Sequence, residues 1–284
     1  MPGNSFVKYV LAEGYDVYLL DWGIPCLEDK NLSSENYILD TLAEAVERVL
    51  KSSSAEEYTL FGHCMGGTIS AVYASLFPEK RKNLILLATP INFAPEDPGQ
   101  LGLWTLFSRS SEGFFDPDLL VETFGNIPED LIERLVSAGT STAEPLADQY
   151  APWFCATLRR FVPEAFVESW LAGSRWVDDG TPSPGETFRQ WVRDFYQHNK
   201  LVKGDLATRP ACGPLERQDL LTEHRRGEGH HCPLPQTEAT MDLVRDEDKE
   251  HLILDAGHLG LIASPEARKT FWPQIETWLE IRSQ

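Results

Sequence analysis

Basic residues are in short supply: 25 Lys and Arg face 44 Asp and Glu, a formal net charge of −19 over 284 residues. So acidic a surface repels phosphate backbones and anionic lipid, which argues against a nucleic-acid-binding function. Long apolar runs are lacking as well. Nothing approaches the ~20 consecutive apolar residues that cross a bilayer, so no membrane span is expected. Met1-Pro2-Gly3-Asn4 does not resemble a secretory leader. The expectation is a cytoplasmic protein. Cysteine is sparse: Cys26, Cys64, Cys155, Cys212 and Cys232 are odd in number and widely spaced, which speaks against a disulfide framework. What remains is a globular composition, 42% hydrophobic and 11% aromatic, in a chain long enough to bury a core.

Along the chain, Tyr15-Asp16-Val17-Tyr18-Leu19-Leu20-Asp21, closed by Trp22-Gly23, reads as a buried strand. It follows a helix that starts at Asn4 or Ser5 and carries Phe6, Val7, Val10 and Leu11. Apolar residues at Ile38, Leu39, Leu42, Ala45, Val46, Val49 and Leu50 give the 3.6-residue stripe of an amphipathic helix. Tyr58-Thr59-Leu60-Phe61 and the run from Leu84 to Ala88 read as further strands, with a helix from Thr68 to Leu76 between them. Strands that alternate with helices predict an α/β architecture, a mostly parallel, doubly wound sheet. Residues 1–95 form the first part of this core. Residues 96–198, rich in Pro, Trp and Phe, read as an inserted helical cap. Residues 199–284 resume the core, with a strand at His251-Leu252-Ile253-Leu254 and a helix from Pro265 to Ile281.

Between the second of these strands and its helix stands Gly62-His63-Cys64-Met65-Gly66-Gly67, a nucleophile-elbow pattern with Cys in the usual serine position. On so sharp a turn the side chain projects into the site, and flanking glycines let the turn close. The helix N-terminus favours a thiolate, and the Met65 N–H is placed to hold an oxyanion. The plainer alternative is a buried Cys beside an ordinary Gly-rich turn. A base belongs after the last strand, where Asp255-Ala256-Gly257-His258 supplies His258. An isolated His258 would read as a loop residue capping the next helix; paired with the elbow it reads as a general base. His63 is expected to point away from the site, and His198 and His251 to be structural.

In these residues the chain resembles the catalytic subunits of polyhydroxyalkanoate synthases, most closely the class III type. The resemblance is carried by Asp16-Val17-Tyr18-Leu19-Leu20-Asp21-Trp22-Gly23, the Gly62-x-Cys64-Met65-Gly66-Gly67 box, Leu87-Ala88-Thr89-Pro90, Phe124-Gly125-Asn126-Ile127-Pro128, Pro182-x-Pro184-Gly185-Glu186 with Arg189-Gln190-Trp191, Asn199-Lys200-Leu201-Val202-Lys203-Gly204, and Ala256-Gly257-His258. It implies an α/β-hydrolase fold with a cap, and polymerisation of (R)-3-hydroxyacyl-CoA to polyester with release of CoA. It further implies Cys64 as acyl carrier, His258 as base, no cofactor and no metal. A homodimer, a second synthase subunit and work at the polyester granule surface belong to the same expectation.

Two departures accompany the resemblance. The family has a strand and an oxyanion loop ahead of the helix that begins here at Ser5, so an N-terminal piece is expected to be absent. From Pro210 to Cys232 the chain is polar and holds three of its seven histidines, His224, His230 and His231. Read one base later, the codons for Thr222 to Cys232 permit Leu-Asn-Ile-Val-Ala-Glu-(Lys or Arg)-Asp-(Thr or Ile)-Ile-Val, the family's strand and its Asp. The same shift from Pro210 permits Arg-Arg-Val-Asp-Leu-Ser-Asn. Two compensating frameshifts, near Thr208 and near Cys232, account for this, and Gly229 then stands where the acid belongs. The aberrant segment 210–232 is expected to lie outside the sheet and to leave a poorly stable, nearly inactive protein. Glu96 and Asp97 are the other acids to consider. Cys212, His224, His230, His231 and Cys232 fit no standard zinc spacing. Trp104, Trp153, Trp170, Trp176 and Trp191 either line an acyl channel or pack the cap, and packing is the commoner use. Two functional alternatives stay open: a Cys-dependent α/β hydrolase or thioesterase, and an inactive remnant of the synthase.

Overall fold

The computed structural model describes residues 4–93, 115–140, 179–206, 219–224, 234–244, 247–254, 258 and 260–283, with Glu168, Leu171, Ala172 and Arg175 between them. Among these residues four strands, β1 (Tyr58–His63), β2 (Arg81–Leu87), β3 (Asp219–His224) and β4 (Lys249–Leu254), form one parallel sheet in the order β1-β2-β3-β4. The helices are α1 (Phe6–Ala12), α2 (Ala43–Ser53), α3 (Met65–Leu76), α4 (Pro117–Phe124), α5 (Glu129–Thr140), α6 (Gly185–Gln190), α7 (Lys200–Lys203), α8 (Leu234–Leu243), α9 (Gly260–Ala263), α10 (Pro265–Thr270) and α11 (Trp272–Arg282). Wider helical turns at Asn36–Leu42 and Trp191–Gln197 lead into α2 and continue α6.

The pleat of β2 explains the double cover. Ile85 and Leu87 face one cluster with Phe271, Trp272, Ile275 and Trp278, whereas Leu84 and Leu86 face another with Ala71, Ala74 and Val244. Strands buried on both faces need apolar side chains at every position, which β2 supplies from Leu84 to Leu87. Trp272 closes the first face: it is fully buried, its indole N–H donates to the Leu261 carbonyl at 2.9 Å, and the rings of Phe6 and Tyr9 lie 5.6 and 5.4 Å away. The Tyr9 hydroxyl donates to Glu276 at 2.6 Å, fastening α1 to α11. On the other face Ile38 and Leu42 pack against Val72 and Tyr73.

Between β2 and β3 the described helices have a core of their own. Phe93, Ile127, Phe188, Val192, Phe195 and Tyr196 are buried together, and Trp191 packs against Phe93 and Phe195, so that tryptophan fills this second core. Gly125 (φ 74°) and Gly185 meet here; a Cβ on Gly185 would fall 2.1 Å from the Gly125 carbonyl. Asp118 receives Arg189 at 2.7 Å and also Arg193. The boundary at 95/96 and the tryptophans Trp104, Trp153, Trp170 and Trp176 lie outside the described residues.

Two sequence expectations are corrected. Tyr15–Asp21 forms no strand, and Leu19 is 83% exposed. Its apolar and aromatic character reports fitness for a pleated surface, whereas a strand also needs a hydrogen-bonding neighbour, and the segment pairs with none of the described strands. Tyr15 packs instead with the α11 cluster, and Leu20 with that of Ile38. The second correction concerns 210–232. Asp219–His224 lies inside the sheet, paired with β2 from Leu84↔Asp219 to Leu87↔Thr222 and with β4 from Asp219↔Lys249 to His224↔Leu254. Parallel ladders are made by backbone groups, so the slot between β2 and β4 accepts a polar sequence more readily than it tolerates unpaired N–H and C=O. The frameshift reading required this segment to lie outside the sheet, and it fails that test; the instability argued from a lost inner strand goes with it.

Replacement of Trp272 by Ala is expected to cost about 3–5 kcal/mol, read as a lower denaturant midpoint at unchanged slope.

Candidate active site

Cys64 stands at the carboxyl end of β1 as the N-cap of α3, with φ 53° and ψ −126°, a conformation that L-residues rarely adopt. Three backbone hydrogen bonds hold it there. Its N–H donates to the Leu87 carbonyl at 3.0 Å, and its carbonyl accepts from Gly67 at 2.9 Å and Thr68 at 3.2 Å. The close approach of strand and helix explains two of the glycines: a Cβ on Gly62 would lie 2.5 Å from the Gly67 Cα, and one on Gly67 would lie 1.8 Å from the Thr89 hydroxyl oxygen. Around Gly66, by contrast, there is open space.

Leu87-Ala88-Thr89-Pro90 is the buttress of this turn. Leu87 anchors Cys64, Thr89 fills the notch over Gly67, and the Pro90 carbonyl accepts the Thr68 hydroxyl at 2.7 Å. Thr89 was not picked out as a site residue from the sequence; its place just after the strand beside the elbow was the available signal.

Burial pushes the Cys64 thiol up from its ordinary 9.0 to about 11, while the Met65 backbone N–H, hydrogen-bonded to the sulfur, pulls it down more weakly. This corrects the expectation that the helix N-terminus leaves Cys64 inclined to the thiolate. Met65 opens α3 and is 48% exposed, and its N–H is the backbone donor hydrogen-bonded to the sulfur.

His258, 8% exposed, follows β4. Its imidazole lies against that of His63, with ring centroids 4.6 Å apart and planes at 37°. His63 is the last residue of β1 and precedes Cys64, so the expectation that it points away from the site is also corrected. The structure thus brings His258 to the end of the strand that carries Cys64. His251 lies within β4, and His198 ends the turn before α7, where its carbonyl accepts Lys203 at 2.7 Å. The positions considered for an acid, Gly229, Glu96 and Asp97, lie outside the described residues, as do Cys155, Cys212, His230, His231 and Cys232. Among the described residues no group of three His, Cys, Asp or Glu is arranged to hold a metal ion.

A family profile described as the alpha/beta hydrolase fold matches residues 2–241. The poly(3-hydroxyalkanoate) polymerase subunit PhaC of Haloferax mediterranei is 32% identical over 284 residues, covering 100% of this chain and 56% of that protein. Its counterpart in Synechocystis is 33% identical, covering 99% of this chain and 73% of that one. The chain belongs to the PhaC polymerase family. It spans little more than half the length of the Haloferax relative and about three quarters of the PhaC of Allochromatium vinosum, to which it is 30% identical. Solved structures agree on the α/β hydrolase fold alone. The monoacylglycerol lipase of Paleococcus ferrophilus superposes with a TM-score of 0.52 at 16% identity, over 96% of this chain and 86% of the lipase. A thermophilic esterase of Thermogutta terrifontis gives 0.50 at 17%, over 95% and 78%.

Two outcomes are expected from this geometry. Gly67→Ala should destabilise by about 1–3 kcal/mol or more, with part recovered by adding Thr89→Ala, whereas Gly66→Ala should stay within about 0.5 kcal/mol by chemical denaturation. Alkylation of Cys64 by iodoacetamide should rise about tenfold per pH unit from pH 8 to 10 without levelling near 9, because the reactive thiolate forms only as pH nears 11. The sign for stability is the reverse: the unfolded thiol ionises first, so this group's contribution is lost as pH climbs from about 9 to 11.

Proposed function

We propose that the chain is an acyltransferase that polymerises (R)-3-hydroxyacyl-CoA into polyhydroxyalkanoate, releasing CoA, through an acyl group carried on Cys64. The observation that carries this reading is the convergence on the end of β1 of a cysteine in a strained elbow and a histidine delivered from β4. A thiol held near 11 needs a base, and His258 is the one at hand. His258 takes the thiol proton as the sulfur attacks the thioester carbonyl. The oxygen of the tetrahedral adduct is held by the Met65 N–H, and CoA leaves as its thiol with that proton. The acyl group then sits in a second thioester of similar energy, so nothing is lost in the transfer. His258 next takes the proton of an incoming 3-hydroxyl, whose oxygen attacks the acyl carbonyl; an ester forms, and the Cys64 thiol regains a proton.

Family membership supports the polymerase reading over transfer to water. The relatives' names call each of them a subunit, which supports a partner chain, and a homodimer fits the same reading. Among the described residues no helix is long and apolar enough to cross a membrane, and this is compatible with cytoplasmic work at a granule surface.

The test uses 3-hydroxybutyryl-CoA. Cys64→Ala should abolish acyl loading, Cys26→Ala should leave it intact, and His258→Ala should slow CoA release about 10²–10⁴-fold. Cys64→Ser should be far weaker than the parent, because a hydroxyl is harder still to deprotonate. Free 3-hydroxybutyrate in place of polymer would make the chain a thioesterase, and acyl loading that survives Cys64→Ala would overturn the covalent route.

A further inference from the structure

His63 has no part in the chemistry just described, yet its ring is the aromatic neighbour of His258. Among the described strands β1 and β4 are the outer ones, with β2 and β3 between them. Three strand spacings of ~4.8 Å therefore separate the strand that carries the nucleophile from the strand that delivers the base. His258 stands four residues beyond Leu254, so the ladder of β4 does not itself fix the aim of its ring. The end of β1, by contrast, is held in its own ladder. His63 pairs with Leu87 in the β1–β2 register, and the Leu87 carbonyl also receives the N–H of Cys64. One strand end therefore fixes both the sulfur and the imidazole of His63 on which His258 rests, with centroids 4.6 Å apart.

We propose that His63 is a positioning residue for His258: its ring is the platform that sets the base at the end of β1, where Cys64 stands. The inference rests on the reading of His258 as the base, and it acts through that residue without touching the reacting atoms. The flat face is what matters. A phenyl ring in its place should support His258, whereas a side chain without a ring should not.

The test compares His63→Ala with His63→Phe in the full chain, each confirmed folded by its thermal transition. His63→Ala should lower kcat for CoA release about 10- to 100-fold with KM changed less than about threefold, because a small misplacement of a catalytic group falls on the chemical step. His63→Phe should restore kcat to within about threefold of the parent. In histidine-labelled protein without substrate, the carbon–proton correlation of the His258 ring, assigned by its loss in His258→Ala, should move or broaden in His63→Ala and remain sharp in His63→Phe. Should His63→Ala not fold, His63→Gln serves as the ringless variant. An unmoved His258 signal in the ringless variant, or a Phe variant as slow as the ringless one, overturns the platform. The signal is read without turnover, so it judges the platform even if acyl loading survives Cys64→Ala and the covalent reading falls.

Discussion

The backbone of Cys64, held at φ 53° between β1 and α3, is the constraint on which the rest of the site depends. A non-glycine residue there costs of order 1–3 kcal/mol and persists where its surroundings over-determine it. Here they do so through the Leu87 carbonyl on one side, the Gly67 and Thr68 N–H groups on the other, and a strand–helix approach so close that Gly62 and Gly67 have no room for a Cβ. The return for that strain is a sulfur at the mouth of the sheet with a helix-end N–H aimed at it. A relaxed turn would leave it in the helix or in the strand.

The same constraint decides what the thiol can do. A helix N-terminus favours a thiolate, and burial disfavours it; at Cys64 burial wins, since the thiol sits near 11 despite the Met65 hydrogen bond. Two opposing effects that look equal in a motif are unequal once the sulfur is enclosed. On the proposed route the first step therefore calls for a base, and the reach from β4 across the sheet would supply it through His258.

Most of the core was legible because its signals are local. The apolar run around Leu84–Leu87, the elbow and the stripe from Ile38 to Leu50 state their own structure, and the elbow's length of glycine names the turn. The family motifs outside the elbow proved to be joints: Asn199, at φ 49°, accepts the Phe93 N–H with its amide oxygen and donates to Asn92 through its nitrogen, both at 2.9 Å. The failures share one cause. Tyr15–Asp21 has strand composition and pairs with none of the described strands, while Asp219–His224 has loop composition and two neighbours with backbone groups to satisfy. Composition along one segment says nothing about the edge it will meet. His63 was misread for the same reason, because what lies against a side chain is decided by a residue nearly two hundred positions away that the topology alone brings near.

The choice of sulfur at this elbow fits a reaction that must wait. A polymerase keeps its acyl chain on the enzyme until the next hydroxyl arrives, so the intermediate has to resist water yet stay open to an alcohol. A thioester on a half-buried sulfur is reactive enough for ester formation to run downhill, and enclosure limits the water that competes. On the proposed route the burial that raises the Cys64 thiol would be part of the same device: it would make the free thiol a poor nucleophile without a base, and it would shelter the acyl group once carried on the sulfur. A hydrolase on this fold has the opposite requirement, since its acyl group must meet water at once. The partial burial of Cys64 is thus compatible with the proposed transfer to an alcohol.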